Sequence, residues 1–350
     1  MSLLTFAFVL IGAALIFDFL NGFHDAANSV ATVVTTRVLT PRQAVLWAAF
    51  FNFVAAFFFG TTVAKTISEK LVDPQVVDLN VIFGALVGAV VWDLLTWWWA
   101  LPTSSSHAVI SGLAGAAIAK AGWGALLLKG WVPVLAFLVL SPIIGMVLGW
   151  SFMTAIAWLT RHAERHAAER RFRHLQLLSA GLYSLGHGTN DAQKTMGIIV
   201  AILAATGHEA WSQPNPEGFR GLGGQHEVAW WIVLSCHGAM ALGTMAGGWR
   251  IVQTVGSRIT PYLRPVGGFS AELAAATSIA FATLAHVPIS TTHAIGGAVS
   301  GVGATRGLHA VRWIWGKRIA WAWVLTFPGA ALIGAAGYAL ARFGLGPFVH

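Results

Sequence analysis

One cysteine, Cys236, stands in 350 residues, so no disulfide framework holds this chain together. Charge is almost as scarce. Charged residues make up 10% of the sequence, where a soluble globular protein carries about 25%. A protein that buries a core in water needs a polar skin, and this one has none to spare. The shortage excludes a soluble globular enzyme, a disordered chain, a fibrous repeat and a nucleic-acid-binding domain. The net charge of +8 is no signal for nucleic acid either, because the basic residues sit in short gaps between long apolar runs. What is abundant is hydrophobic surface, at 56% of residues, with 17 Trp and 39 Gly. Trp anchors at membrane interfaces and Gly lets helices pack closely. One helical span takes about 20 apolar residues, so with short loops about ten spans fit. The sequence therefore predicts an all-α polytopic membrane protein whose first partner is the lipid bilayer. Its first twenty residues lack a basic leader and a small-residue cleavage site, and they read as the first span.

Apolar runs cover 3–36, 43–64, 81–100, 101–120 and 131–159, then 175–205, 227–249, 267–287, 288–305 and 318–341. Between the two sets lies a basic stretch with Arg161, Arg165, Arg170, Arg171 and Arg173. Lys and Arg mark cytoplasmic loops. Arg37 and Arg42, Lys65 and Lys70, Arg250, Arg258 and Arg264, and Arg306, Arg312, Lys317 and Arg318 fill the other basic gaps, while 206–226 carries Glu209 and Glu217 against Arg220. Basic gaps inside give a multi-pass protein of the cell membrane with both termini outside and a cytoplasmic linker at 161–174. Lys120 and Lys129 fall on the outer side and fit this scheme least.

Five crossings per half orient the halves oppositely, so two copies of one unit would form an inverted repeat, as in many secondary transporters. Internal similarity is present in two places. Residues 102–109 read PTSSSHAV and 288–295 read PISTTHAI, 186 residues apart, a spacing that also aligns Gly115 with Gly301. Residues 22–28 read GFHDAAN and 188–194 read GTNDAQK, 166 residues apart, which aligns Asp25 with Asp191. Both pairs occur in the same order. The expected units are 1–160 and 175–350, each with about five membrane segments, some of them broken or re-entrant hairpins, joined by the linker at 161–174.

Both motifs place polar chemistry inside apolar runs. An ionisable residue at the centre of a lone membrane helix costs at least about 2.5–3.5 kcal/mol, so Asp25 and Asp191 need a partner, water or an ion. Asn21, His24 and Asn28 surround the first, and His187, Asn190 and Gln193 the second. Gly22, Gly186 and Gly188 are expected to let the helices unwind and expose carbonyls. Carboxylate, amide and carbonyl oxygens suit a hard monovalent cation or a proton; a buried polar knot that joins helices is the plainer alternative. Asp25, Asn28, Asn190, Asp191 and Gln193 are the cation or coupling candidates, with Glu272, an acid in the run GFSAELAAATS, beside them. Lys194 is an ion-pair partner for Asp191 or an anion contact. In the second motif Pro102 or Pro288 opens a new run, as Pro does at a helix start. Three hydroxyls follow, Ser104, Ser105 and Ser106 in one copy and Ser290, Thr291 and Thr292 in the other, and then His107 or His293. Hydroxyls and free N–H groups at a helix N-terminus make an anion site. Two facing copies would ring one tetrahedral oxyanion. Simple helix capping is the competing reading.

At these residues the chain resembles the PiT family of inorganic phosphate transporters. The family's doubled GANDVAN-like signature is similar to NGFHDAAN at 21–28 and HGTNDAQK at 187–194, and its PxSSTH-like elements to PTSSSH and PISTTH. The stretch GTMAGGWRIVQTVGSRITPYLRPVGGFSAE also looks like the family's second half, so the resemblance covers nearly the whole chain. The short linker points to a compact prokaryotic form. One departure is His24, where the signature usually has Asn; some proton-coupled bacterial members are similar there, which tilts the implied coupling ion toward H⁺ and leaves Na⁺ open. The resemblance implies a secondary transporter that imports inorganic phosphate, or a metal–phosphate complex, by symport with H⁺ or Na⁺. It implies no cofactor beyond that ion, and a homodimer. A permease for sulfate or another tetrahedral oxyanion is the alternative. An intramembrane hydrolase built on Ser105 and His107 is disfavoured, because catalysis needs one nucleophile and one base, not a symmetric pair. An anion channel is disfavoured by the buried acids.

Overall fold

The protein is described here from a computed structural model that covers residues 2–58, 71–214, 228–284 and 289–345. Lys65, Glu69, Lys70, Glu217, Arg220 and Pro288 lie outside the described residues. Among the described residues there are eleven α-helices: α1 (Leu3–Thr35), α2 (Pro41–Val54), α3 (Leu79–Trp98), α4 (Ser105–Ala121), α5 (Leu128–Leu159), α6 (Arg165–Ala205), α7 (Trp230–Ala246), the short α8 (Trp249–Gln253), α9 (Pro265–Leu284), α10 (Thr291–Ala304) and α11 (Trp313–Leu340). Local sequence explains the starts. Ser2 Oγ accepts from Thr5 N, Asp78 accepts from Val81 N, and Thr40 and Gln43 box the start of α2 with Pro41 at its first position. Among the described residues four helices are long and apolar enough to cross a membrane: α1, α3, α5 and the span from Trp313 to Gly344 that contains α11.

Packing comes in equivalent pairs. α1 lies on α7 as α6 lies on α2; α3 lies on α11 as α9 lies on α5; α4 lies on α11 as α10 lies on α5; α3 meets α4 as α9 meets α10. Each half thus packs its final long helix against the other half's hairpin. Glycines make the close crossings. A Cβ on Gly115 would stand 1.9 Å from the Ala331 carbonyl oxygen, and one on its sequence twin Gly301 would stand 2.0 Å from that of Met146. Backbones this close are how helices associate where lipid gives no hydrophobic drive. α1 and α6 cross antiparallel, since Thr36 meets Gln176 while Asp25 meets His187.

One sequence expectation needs correction. α1 and α6 run unbroken through Asp25 and Asp191, so the nearby glycines do not unwind them. Gly22 instead admits the Met240 backbone, and Gly188 that of Asn52. The basic linker is also largely helical. α6 starts at Arg165 and has 41 residues, about 60 Å at 1.5 Å per residue. That exceeds the 40–45 Å of a whole bilayer with its headgroups, so the exposed arginine turns extend an already long helix. Lys120, the basic residue that fitted the topology least, is paired with Asp78 at 2.7 Å.

Candidate functional site

The break between α3 and α4 positions the first hydroxyl run. Ala100 takes a left-handed φ of 56° and turns the chain out of α3. Irregular backbone at membrane depth must have its carbonyls satisfied by protein. Here Arg250 donates to Trp98 O at 3.0 Å, Thr254 to Ala100 O at 2.9 Å and Trp323 to Pro102 O at 3.0 Å. Ser104 then caps α4, accepting from His107 N at 3.3 Å, and Ser290 caps α10 with the same 3.3 Å bond from His293 N. The first intrahelical bonds are Ala108 N to Ser104 O and Ala294 N to Ser290 O. The N–H groups of Ser105, Ser106, Thr291 and Thr292 precede them and have no intrahelical acceptor. The two helix starts face each other, with the His107 and His293 rings 5.0 Å apart.

Between these starts lie the two signature acids. His187 Nε2 is 3.3 Å from Asp191 Oδ2 and 3.7 Å from Asp25 Oδ2. All three side chains are buried, and one ligand atom from each falls within 4.8 Å of the others. His187 Nδ1 is 3.3 Å from Asn52 Oδ1, an acceptor, so the ring spends its first proton there. A neutral ring would turn a bare lone pair toward two carboxylates. A proton on Nε2, or a cation between the acids, reverses that repulsion. Asp191 also accepts from Lys194 Nζ at 2.5 Å, Asn190 Nδ2 at 2.7 Å and Thr291 Oγ1 at 3.3 Å. Asp25 accepts from Thr292 Oγ1 at 3.4 Å and lies 3.2 Å from His24 Nδ1.

The halves grip each other through twin contacts. Asn28 Nδ2 donates to Thr292 Oγ1 at 2.8 Å, and Lys194 Nζ donates to Ser106 Oγ. The repeat spacings that equate Asn28 with Lys194 also equate Ser106 with Thr292. Each hairpin's third hydroxyl is therefore held by the other half's signature helix. Asn190 Nδ2 also donates to Ile289 O at 3.1 Å, and Gln193 is buried on the same helix. Ser105 lies by Asp93, a buried acid of α3. Glu272 stands apart from Asp25 and Asp191, in its own cluster. It accepts from Thr32 and Ser179 at 2.5 Å each and from Gln176 at 2.9 Å. Sequence reading missed Asn52 and also Thr96, whose Oγ1 lies 3.1 Å from His24 Nε2; both roles depend on tertiary contact. It placed His187 with the acids only within the disfavoured dyad or metal-site reading, although the i,i+4 spacing to Asp191 puts both on one helix face.

Comparison with known proteins decides the family. Residues 21–334 match the phosphate transporter family. The chain belongs to that family. It is 50% identical over 329 residues to a probable low-affinity inorganic phosphate transporter of Rhizobium meliloti (strain 1021), with 94% of each chain covered. A protein of the same description from Bacillus subtilis (strain 168) is 43% identical over 96% of this chain and 97% of its own. A solved sodium-dependent phosphate transporter superposes with a TM-score of 0.83 at 25% identity, covering 97% of this chain and 99% of the other. These relatives are transporters, not enzymes, and the hydrolase reading falls.

Proposed function

We propose that this protein imports inorganic phosphate across the cell membrane by symport with a monovalent cation, H⁺ or Na⁺. The observation that carries the reading is the convergence of two hydroxyl-lined helix N-termini on a pair of buried carboxylates. Ser105, Ser106, Thr291 and Thr292 supply neutral donors and free N–H groups for the anion, as helix N-termini do. Ser104 and Ser290 act as caps that hold those groups in place. Asp25 and Asp191, with Asn28, Asn190 and Gln193 around them, carry the coupling cation. The logic is electrostatic. Unneutralised acids repel phosphate, and a cation or proton on them admits it. Moving one negative charge inward against 100 mV is opposed by about 2.3 kcal/mol, and one cation per monovalent phosphate removes that opposition. A phosphate that retains a proton also donates to a carboxylate where sulfate cannot, so the acids favour phosphate over sulfate. The antiparallel crossing of α1 and α6 and the paired helix contacts support an inverted repeat of 1–160 and 175–350, with the arginine-rich start of α6 on the cytoplasmic side. Uptake of labelled phosphate into proteoliposomes under separate Na⁺ and pH gradients tests the proposal. Uptake that follows neither gradient refutes symport, and equal uptake of sulfate refutes the selectivity.

A further inference from the structure

Lys194 breaks the symmetry of the coupling centre. It is buried on α6, three residues after Asp191, and its ammonium donates to Asp191 Oδ1 at 2.5 Å and also to Ser106 Oγ of the first hairpin. A cation thus stands between an acid of one half and the third hydroxyl of the other. The 166- and 186-residue repeat spacings carry this trio onto Asp25, Asn28 and Thr292. There the lysine's place is taken by a shorter, neutral amide. Asn28 Nδ2 donates to Thr292 Oγ1 at 2.8 Å, and Thr292 Oγ1 reaches Asp25 Oδ1 at 3.4 Å, long for a bond from a hydroxyl. Asn28 Oδ1 is buried and accepts no hydrogen bond. Among the described residues neither Lys nor Arg pairs with Asp25; its ionic neighbours are His24 at 3.2 Å and His187 at 3.7 Å. One acid has a permanent cation beside it. The other has an amide oxygen and a hydroxyl in the equivalent place.

Charge sets the consequence. Two carboxylates and one ammonium leave a single negative charge at the centre. One added cation, a proton on His187 Nε2 or a Na⁺ beside Asp25, balances that charge and admits the anion. Without the lysine, two would be needed. Asp191 and Lys194 are neighbours at i,i+3 on one unbroken helix, so the pair stays together however the two halves move. Its ammonium is tethered and is released to neither side. We infer, on the symport reading above, that Lys194 is a built-in cation of the coupling centre. It stands where a second transported cation would otherwise bind, and the centre takes one exchangeable cation per cycle, on the Asp25 side. The residue at 194 therefore sets the cation-to-phosphate ratio, and a lysine at 28 would remove the remaining ion from the cycle.

The test is uptake of labelled phosphate by the full chain in proteoliposomes, read against whichever gradient, Na⁺ or H⁺, drives the unmodified protein. That uptake should depend on the cation with a Hill coefficient of about 1, and Lys194→Asn, which installs the residue of the other half, should raise it to about 2. The variant should also take up one more cation per phosphate, counted with labelled Na⁺ or a pH dye. Lys194→Arg keeps the charge and should match the unmodified protein. Asn28→Lys adds a second fixed ammonium and should let phosphate equilibrate without following either gradient. A lysine that only ties α6 to the first hairpin predicts otherwise: Lys194→Asn would lower the melting temperature and the rate and leave the Hill coefficient and the ratio where they were. That result, or a Hill coefficient of about 2 in the unmodified protein, overturns the inference. If Lys194→Asn does not fold, the unmodified protein and Asn28→Lys decide, and uptake by Asn28→Lys that still follows the gradient counts against the built-in cation. Unmodified uptake that follows neither gradient removes symport instead. Melting curves in phosphate-free buffer, titrated with NaCl and with pH, then decide: Lys194→Asn should bind one cation more than the unmodified protein, Na⁺ or a proton, and identical dependence in the two proteins overturns the assignment.

Discussion

Replacing Lys194 by methionine isolates the charge balance of the central site. The Lys194 side chain is buried, with its ammonium 2.5 Å from Asp191 Oδ1 and also bonded to Ser106 Oγ. Methionine keeps the apolar stem and removes the cation. Asp191 is then a buried carboxylate without its Lys partner, a change that costs about 3–5 kcal/mol when a buried pair is broken from one side. Asn190, Thr291 and His187 remain on the carboxylate at 2.7–3.3 Å, so the lower end of that range, about 3 kcal/mol, is expected. That is a large share of the 5–15 kcal/mol that holds a typical native protein together. Asp191→Asn alone strands the ammonium and should cost a similar amount. The double variant Lys194→Met/Asp191→Asn removes both charges at once. It should recover at least about 2 kcal/mol of the summed losses, within the span of coupling energies between contacting residues. Unfolding followed by tryptophan fluorescence in detergent measures all four proteins, and phosphate uptake by the double variant should be absent although it folds. Strict additivity, with the double variant losing the sum of the two singles, would refute the pairing and with it the claim that Lys194 serves Asp191.

Capping and anion binding separate by position. Ser104→Ala and Ser290→Ala should each lower stability by about 0.5–2 kcal/mol and leave phosphate affinity unchanged, while Ser106→Ala and Thr292→Val should weaken phosphate about 5- to 150-fold; titration of phosphate beside a melting curve distinguishes the two classes. Gly115→Ala and Gly301→Ala should each destabilise by about 1–3 kcal/mol or more, because the new methyl meets a backbone carbonyl, whereas Gly12→Ala, with open space around it, should be neutral in the same assay. Asp25→Asn and Asp191→Asn should each abolish gradient-driven uptake of labelled phosphate; uptake that still follows the ion gradient in both variants contradicts their coupling role.

Composition and repeat spacing made the membrane class, the break between α3 and α4 and the equivalence of Asp25 with Asp191 legible before any coordinates. These follow from local pattern and from symmetry, which a single sequence carries. The unwinding assigned to Gly22 and Gly188 did not follow, because a glycine in a membrane helix has two uses and the sequence does not tell them apart. Its neighbour across the crossing does: Met240 and Asn52 press their backbones where a Cβ would stand. The separate placement of Glu272 was hidden for the same reason. Its partners Thr32, Gln176 and Ser179 come from two other helices, and no spacing in the sequence links them. Ser104 and Ser290 looked like members of a hydroxyl set, and each also caps its own helix by accepting from the His N–H three residues on, a bond the sequence alone does not reveal.

The repeat also fixes where the two halves are permitted to differ. Twin positions carry the same task with different chemistry: Asn28 holds Thr292 with a neutral amide, and Lys194 holds Ser106 with an ammonium. If both twins were identical, exchanging the conformations of the halves would yield two states of equal energy, and only ligands and the membrane field would choose between them. The unequal twins remove that degeneracy, because hydrogen bonds made by charged groups are the stronger ones. Loosening the first hairpin from α6 breaks a charge-assisted contact and leaves an ammonium that depends on Asp191 alone. Loosening the second hairpin from α1 breaks only a neutral contact. The second hairpin is therefore the easier one to release, and its hydroxyls Thr291 and Thr292 are also the ones bonded to the two acids. Neutralising those acids weakens the hold on that same hairpin. Under the symport proposed above, cation binding at these acids would be linked to release of that hairpin through two hydroxyls, the connection a symporter requires between its coupling ion and its gate.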